Sequence, residues 1–136
     1  MLKIVPANRF AIDSRSAIKI GASGDTTYPF DKAAEEIILS KLKDMNESFS
    51  IISEEDGLSE LKGGGLRILI DPIDGSKNAI SGIPFFCASI AVADGDKIGD
   101  IFLCYTINLI SGDEFWALRD KGDFNKGLKP SVNKWK

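Results

Sequence analysis

Two short acidic stretches carry whatever chemistry this sequence can do: "ISEEDG" at residues 52–57 and "ILIDPIDGSKN" at residues 68–78. Each closes a run of β-forming apolar residues. A carboxylate at the end of a buried strand is costly unless something pairs with it. Two readings of "DPIDG" stand side by side. Asp-Pro and Asp-Gly are favoured turn dipeptides, so a plain turn accounts for the fragment taken alone. The other reading is a cation held by both acids. Sites on sheets gather at strand ends, and here two strands end the same way. If those strands are parallel neighbours, Glu54, Asp71 and Asp74 converge. Three oxygen ligands without histidine or thiolate suit magnesium, manganese or calcium rather than zinc or copper.

The order of atoms in "DPIDGS" adds an anion site. Pro72 stiffens the turn. The carbonyl of Ile73 has no evident strand partner and is available as a ligand. Gly75 lets the backbone approach a bound anion, and the N–H groups of Gly75 and Ser76 can point at it. "SKNAIS" can begin a short helix whose N-terminus favours a phosphate. Ser76 offers a hydroxyl beside the metal.

What is missing narrows the chemistry further. The chain has no histidine. That removes histidine-activated nucleophiles, the usual histidine base and histidine-ligated zinc. Neither cysteine has an arginine six residues later, and there is no G-x-x-x-x-G-K-[ST] or G-x-G-x-x-G. The second aspartate stands at i+3, which excludes the D-x-D of haloacid-dehalogenase-type phosphatases. A Walker B strand would need the missing P-loop. Carboxylates, hydroxyls, backbone groups and metal ions remain.

The elements that must position these residues follow from periodicity. Phe30, Ala34, Ile38, Leu42 and Met45 fall on one stripe, with Ile37 beside it, predicting a helix from Phe30 to Met45. Thr26 or Thr27 is its expected cap, with Pro29 in the first turn. "FSIIS" and "LRILI" read as strands, separated by "EEDGLSELKGGG" as a loop with a mobile glycine end. "FFCASIAVAD" and "KIGDIFLCYTI" read as a hairpin, "DEFWALRD" as a further strand, and the tail as turns with one short strand. Residues 1 to 24 have weak periodicity. One helix followed by five or six consecutive strands predicts an α+β fold with a mainly antiparallel sheet. One helix covers one face of such a sheet, so an exposed apolar patch is expected on the other.

At 136 residues, 43% hydrophobic and 27% charged, this is globular material for a single domain. A net charge of −3 without a basic cluster argues against nucleic acid. No apolar run has the length of a membrane span, and the N-terminus lacks a signal peptide's features. The two cysteines, Cys87 and Cys104, lie in apolar runs and read as buried free thiols of a cytoplasmic protein.

"ISEEDG" followed by "ILIDPIDGSKN" resembles the inositol monophosphatase family of metal-dependent, lithium-sensitive sugar phosphatases. "GDTTYPFDKAAEEIIL" is similar to the family helix that brings in an aspartate, here Asp31. "NAISGIPFFCASIAVADGDKIGDIFLCY" is similar to the strands after the motif, and "WALRDKGDFNKG" loosely to a later family stretch. "GIPFF" looks closest to archaeal members acting on both inositol monophosphate and fructose 1,6-bisphosphate.

The resemblance implies the N-terminal half of a layered αβαβα sandwich, with residues 1–136 as one metal-site domain and the C-terminal domain absent. It implies two or three Mg²⁺ ions, which Mn²⁺ can replace. Glu54 would ligate the first metal, near a third. Asp71 would bridge two metals, the Ile73 carbonyl would complete the first, and Asp74 would bind the second. Gly75 and Ser76 would hold phosphate. Asp31 would hydrogen-bond Ser76 and help take a proton from metal-activated water. Glu55 would have a supporting role. No W-D motif follows residue 105, so the last ligand of the second metal and most sugar contacts are expected from elsewhere: a C-terminal complementary chain, with a homodimer the other option. The implied activity is phosphomonoester hydrolysis on a small sugar or polyol phosphate. The alternatives are an incomplete half-domain that binds metal or phosphate or acts as an interaction module, and a nucleotide 3′-phosphatase.

Overall fold

The computed structural model describes residues 19–125. Expectations for the first eighteen residues and for 126–136 lie outside the described residues. A two-stranded hairpin comes first, β1 (Lys19–Ile20) with β2 (Thr26–Thr27). Helix α1 (Pro29–Asp44) follows, then β3 (Phe49–Ser53), β4 (Gly57–Leu61), β5 (Leu66–Asp74), the short α2 (Ser76–Ser81), β6 (Cys87–Ala93), β7 (Ile101–Asn108), β8 (Glu114–Leu118) and β9 (Gly122–Asn125). The last seven strands form one sheet in the order β4-β3-β5-β6-β7-β8-β9. The result is the expected α+β sandwich, a mainly antiparallel sheet flanked by helix. The sheet has seven strands where five or six were expected, because the predicted loop 54–65 contains β4.

That strand explains how the site's two strands come to be parallel. β4 reverses along the outer edge of β3, from Ser53↔Gly57 to Phe49↔Leu61. The chain then crosses the end of β3 and returns on its other side as β5, pairing Phe49↔Leu66 through Ser53↔Ile70. Two reversals restore the original direction. The crossing needs left-handed backbone at Lys62, Gly63 and Gly64, with φ of 52°, 83° and 84°, and glycine supplies it at least cost. Among the described strands of the sheet, β3 and β5 are the parallel neighbours; the others run antiparallel.

The core lies between α1 and one face of the sheet. Ile38 packs with Phe49, Ile51, Ile68 and Ile70, and Phe30 and Ala34 pack with Ile73 and Phe86. Full burial of such an isoleucine contributes about 2 kcal/mol. The helical stripe holds at Phe30, Ala34 and Ile38, but Met45 is 58% exposed, one residue past the helix end. The expected threonine cap is replaced. Tyr28 is the N-cap, and Asp31 at N3 reaches back to accept from the Tyr28 N–H at 2.8 Å. Thr27 is committed elsewhere, its hydroxyl donating to Glu55.

Side chains alternate along a strand, so the opposite face carries Ile52, Leu69, Ala91, Cys104 and Ala117 as one row in register. An open groove of about 710 Å³ lies along Ile52, Leu69, Ala91 and Cys104 and runs to Glu54 and Asp71. The buried-thiol reading fails on this face. Cys104 is exposed and Cys87 half-buried, both free, because α1 lies on the other side. No described helix is long and apolar enough to cross a membrane.

Candidate active site

The parallel pair delivers the acids together. Its ladder continues one residue past β3, where the Glu54 N–H donates to the Ile70 carbonyl at 3.0 Å. Glu54 therefore stands beside Asp71, the residue after Ile70. A cleft of about 180 Å³ is lined by Glu54, Glu55, Asp71, Ile73, Asp74, Gly75 and Ser76, together with Asp25, Thr26, Tyr28 and Lys77. Every proposed metal or phosphate residue is on that wall. Asp31 lies behind it, fully buried.

Beyond Asp71 the chain holds its own shape. The β5–β6 register shifts between Asp71 and Asp74, so the stretch between them bulges from the ladder. The Ile73 side chain enters the core, so Ile73 meets the cleft through its backbone. The Ile73 carbonyl, for which the sequence shows no evident strand partner, has a local side-chain partner. Ser76 Oγ lies 2.9 Å from it and 2.6 Å from Asp31 Oδ1. The charged acceptor makes the stronger bond. Gly75 has φ of 100°, and a Cβ there would sit 3.1 Å from the Phe85 carbonyl oxygen and 3.1 Å from Phe86 Cβ. Only glycine suits both the turn and the close approach. Cys87 Sγ stands 3.9 Å from Asp74 Oδ2, and burial raises its pKa above the usual thiol value.

The electrostatics are those of crowded acids. Asp71 is pushed up to about 7, first by burial and then by the Glu54 carboxyl beside it, with Asp74 and Glu55 adding. Burial also raises Asp31, against the hydrogen bonds from Ser76 and the Tyr28 N–H. Glu55 is raised by burial, against the Thr27 hydroxyl.

Among the described residues, no three carboxylates or thiols stand at ready-made ligand spacing around one point. The donor set nonetheless fits a hard divalent cation. Among the described residues Asp71 Oδ1 is buried without a hydrogen-bond partner, and the candidate ligands on the cleft wall are all oxygen atoms. The residues that could hold the ion are Glu54, Asp71, Asp74 and the Ile73 carbonyl.

The residues that hold the Glu54 end were not foreseen. Asp56 is bridged by Lys19 and Lys32, and Lys32 also pairs with the fully buried Glu35 at 3.1 Å. The one sequence signal was on α1: polar Asp31 and Glu35, four apart, run beside the apolar stripe and share a helix face.

A helix-flanked sheet whose parallel strand pair brings acids to one cleft defines the inositol monophosphatase/fructose-1,6-bisphosphatase type of fold. A hypothetical protein of Pyrococcus horikoshii with similarities to inositol-1 monophosphatase matches this structure with a TM-score of 0.77 at 30% identity, over 97% of this chain and 49% of that one. The chain belongs to the inositol monophosphatase family, whose model matches residues 3–136. The fructose-1,6-bisphosphatase/inositol-1-monophosphatase of Methanothermobacter thermautotrophicus is 34% identical over 122 residues, 82% of this chain and 44% of that protein. A bifunctional NADP phosphatase/NAD kinase of Methanococcus maripaludis is 28% identical over 137 residues, 88% of this chain and 24% of that protein. The chain strongly resembles phosphoric monoester hydrolases of this type, and it spans about half the length, or less, of the curated relatives it matches.

Proposed function

We propose that this chain carries the metal and phosphate half of a Mg²⁺-dependent phosphomonoesterase. Its substrate class is a small sugar or polyol phosphate, with myo-inositol monophosphate and fructose 1,6-bisphosphate the leading candidates. One observation carries the reading. The parallel register sets Glu54 beside Asp71 in a cleft that also holds Asp74, Gly75 and Ser76, with Asp31 hydrogen-bonded to Ser76 from behind the wall.

Glu54, Asp71, Asp74 and the Ile73 carbonyl would hold two or three Mg²⁺ ions, and Mn²⁺ can replace them. When bound, such ions make water nucleophilic near neutral pH and offset charge on phosphate oxygens. The protein's own part is proton handling and orientation. Ser76 Oγ donates to Asp31 and keeps lone pairs for a water proton. Burial raises the pKa of Asp31 and makes it the better base. Its second oxygen is fixed by the Tyr28 N–H, so it can turn little. Gly75 leaves room for a phosphate to approach the backbone. Glu55, within the wall, supports Glu54.

The sugar contacts and the last metal ligand belong to polypeptide beyond this domain, carried on a complementary C-terminal segment. The apolar groove along Ile52, Leu69, Ala91 and Cys104 supports this, since it opens directly onto Glu54 and Asp71. A homodimer through that groove is the competing arrangement.

The test is Mg²⁺-dependent phosphate release from inositol monophosphate and fructose 1,6-bisphosphate. It is run on this chain alone and on the chain extended by the remaining family length. Turnover by the extended protein only is the expected result. Metal binding without turnover in both would favour a binding or interaction module. A second substrate class deserves a parallel arm because of the NADP phosphatase relative: nucleotides bearing a 2′- or 3′-phosphate. Faster release from those than from sugar phosphates would reverse the assignment.

A further inference from the structure

We propose that Asp56, gripped between Lys19 and Lys32, is a positioning residue that fixes Glu54 in the acidic cleft. The inference rests on the reading of that cleft as a divalent-cation site. Asp56 itself is absent from the residues lining the cleft. Its Oδ1 takes the Lys19 ammonium at 2.6 Å, and its Oδ2 takes the Lys32 ammonium. Lys32 is anchored in turn on Glu35, whose side chain is fully buried. One carboxylate thereby ties the turn after β3 to both β1 and α1.

The Glu54 side chain meets the Asp71 carboxyl beside it and is held only weakly from the hairpin. Its nearest hydrogen-bonding partner in the hairpin is Ser23 Oγ, at 3.4 Å from Oε1. Its placement comes through the backbone. The Ser23 N–H donates to the Glu54 carbonyl and the Ala22 N–H to the Glu55 carbonyl, both at 3.1 Å. Gly21 makes the approach possible, since a Cβ there would meet the Glu54 carbonyl oxygen at 3.1 Å. The hairpin thus lies directly on the acidic turn, and the Lys19–Asp56 pair adds a side-chain tie between them. Lys32 holds the same carboxylate from the helix.

A positioning role and a simple charge effect predict opposite signs. Lys19 and Lys32 are cations near a cleft of acids. By charge alone, removing either deepens the negative potential and tightens divalent-cation binding. If they act by holding Asp56, removal loosens Glu54 and weakens binding.

The experiment is Mn²⁺ titration calorimetry on Lys19→Met, Lys19→Arg and Lys32→Met, with amide hydrogen exchange at Ala22 and Ser23 in the metal-free proteins. Lys32→Met strands the buried Glu35 carboxylate, so the Lys32→Met/Glu35→Gln pair stands in if that variant fails to fold. The expected result is Mn²⁺ affinity lower on the order of tenfold in the methionine variants, the scale of losing a group that orients a ligand. Lys19→Arg should recover most of it, and exchange at Ala22 and Ser23 should quicken in Lys19→Met. Unchanged or tighter Mn²⁺ binding in the methionine variants overturns the proposal. If the wild-type chain binds no Mn²⁺, the cation-site reading fails first. Exchange then decides the bridge alone: unchanged protection in Lys19→Met refutes it, and faster exchange retains it as the device that sets the turn.

Discussion

The two acidic turns of this molecule line one cleft and are built in opposite ways. The turn after β5 is self-contained. Pro72, Gly75 and Ser76 shape it within six residues, and its distant side-chain tethers are the Ser76–Asp31 hydrogen bond and the longer Cys87–Asp74 contact. The turn after β3 is held almost entirely from outside. Lys19 and Lys32 take Asp56, Thr27 takes Glu55, and the hairpin amides take the carbonyls of Glu54 and Glu55. Their charges differ in the same sense. Asp71 is crowded by acids and raised to about 7. Asp56 is paired with two lysines and lowered to about 2. In this cleft one turn is shaped by its own local geometry and the other is recruited through tertiary contacts.

The largest effect that tests this contrast is expected at Asp71. Losing a group behind a metal ligand costs about 10–100-fold in affinity, so losing the ligand should cost on the order of a hundredfold or more. Asp71→Asn should therefore abolish measurable Mg²⁺ or Mn²⁺ binding in calorimetry while the fold persists. Equal binding by both proteins would remove Asp71 from the site and leave its unpartnered buried oxygen without a role.

The same pair of acids gives stability two opposed pH dependences. Asp71 ionises in the unfolded chain near its ordinary value of 3.8 but in the folded chain only near 7. Between those values the folded state holds more protons, so in chelator its contribution is lost as pH rises from about 4 to about 7. Asp56 behaves the other way. Its contribution is present above 3.8 and disappears as pH falls towards about 2. It is discounted because the side chain is 36% exposed to screening solvent. Urea unfolding across that range should show a fall on the alkaline side that flattens in Asp71→Asn. A slope unchanged by that substitution would mean that other buried acids, Asp31 and Glu55, set it.

Gly75→Ala probes the preformed turn next. A left-handed φ costs an alanine about 1–2 kcal/mol, and the contacts with Phe85 and Phe86 add to it. A loss of about 2 kcal/mol in urea unfolding is expected. A loss under about 0.5 kcal/mol, the range of an ordinary surface substitution, would show the β5 turn to be as adaptable as its neighbour.

This division also decides what could be read from the sequence. "DPIDGS" encodes its conformation locally, so its turn, its acids and the start of α2 were legible residue by residue. So were the helix and most strands, because periodicity is local. The pairing of β3 with β5 was available only as a condition, since nothing nearby states which edge of β3 the chain returns to. β4 was hidden because "GLSEL" has an exposed, polar middle and glycines on either side, the marks of a loop. Lys19, Lys32 and Asp56 were invisible for another reason, and Thr27 was legible only as a candidate helix cap. The three charged residues lie up to 37 residues apart in sequence, and each looks like an ordinary surface residue until the fold joins them. The exposure of Cys104 belongs with these, since an apolar strand does not say which of its faces a helix will cover.

The smallest expected effect, at Thr27, sharpens the comparison most. Thr27 is fully buried and its hydroxyl donates to Glu55, itself 7% exposed. Valine keeps the shape and removes the donor. Burial already raises the Glu55 pKa, and the Thr27 hydroxyl opposes that rise. Thr27→Val should therefore raise it further. The stability cost should be about 1 kcal/mol near neutral pH, where a buried carboxylate has lost a hydrogen bond. It should shrink at acid pH, where a neutral carboxyl needs that donor less. Thr27→Ser keeps the hydroxyl and should lose less than half as much. If valine and serine cost the same at every pH, the loss is one of packing alone. The hairpin would then hold the β3 turn through its backbone and Asp56, without a grip on Glu55.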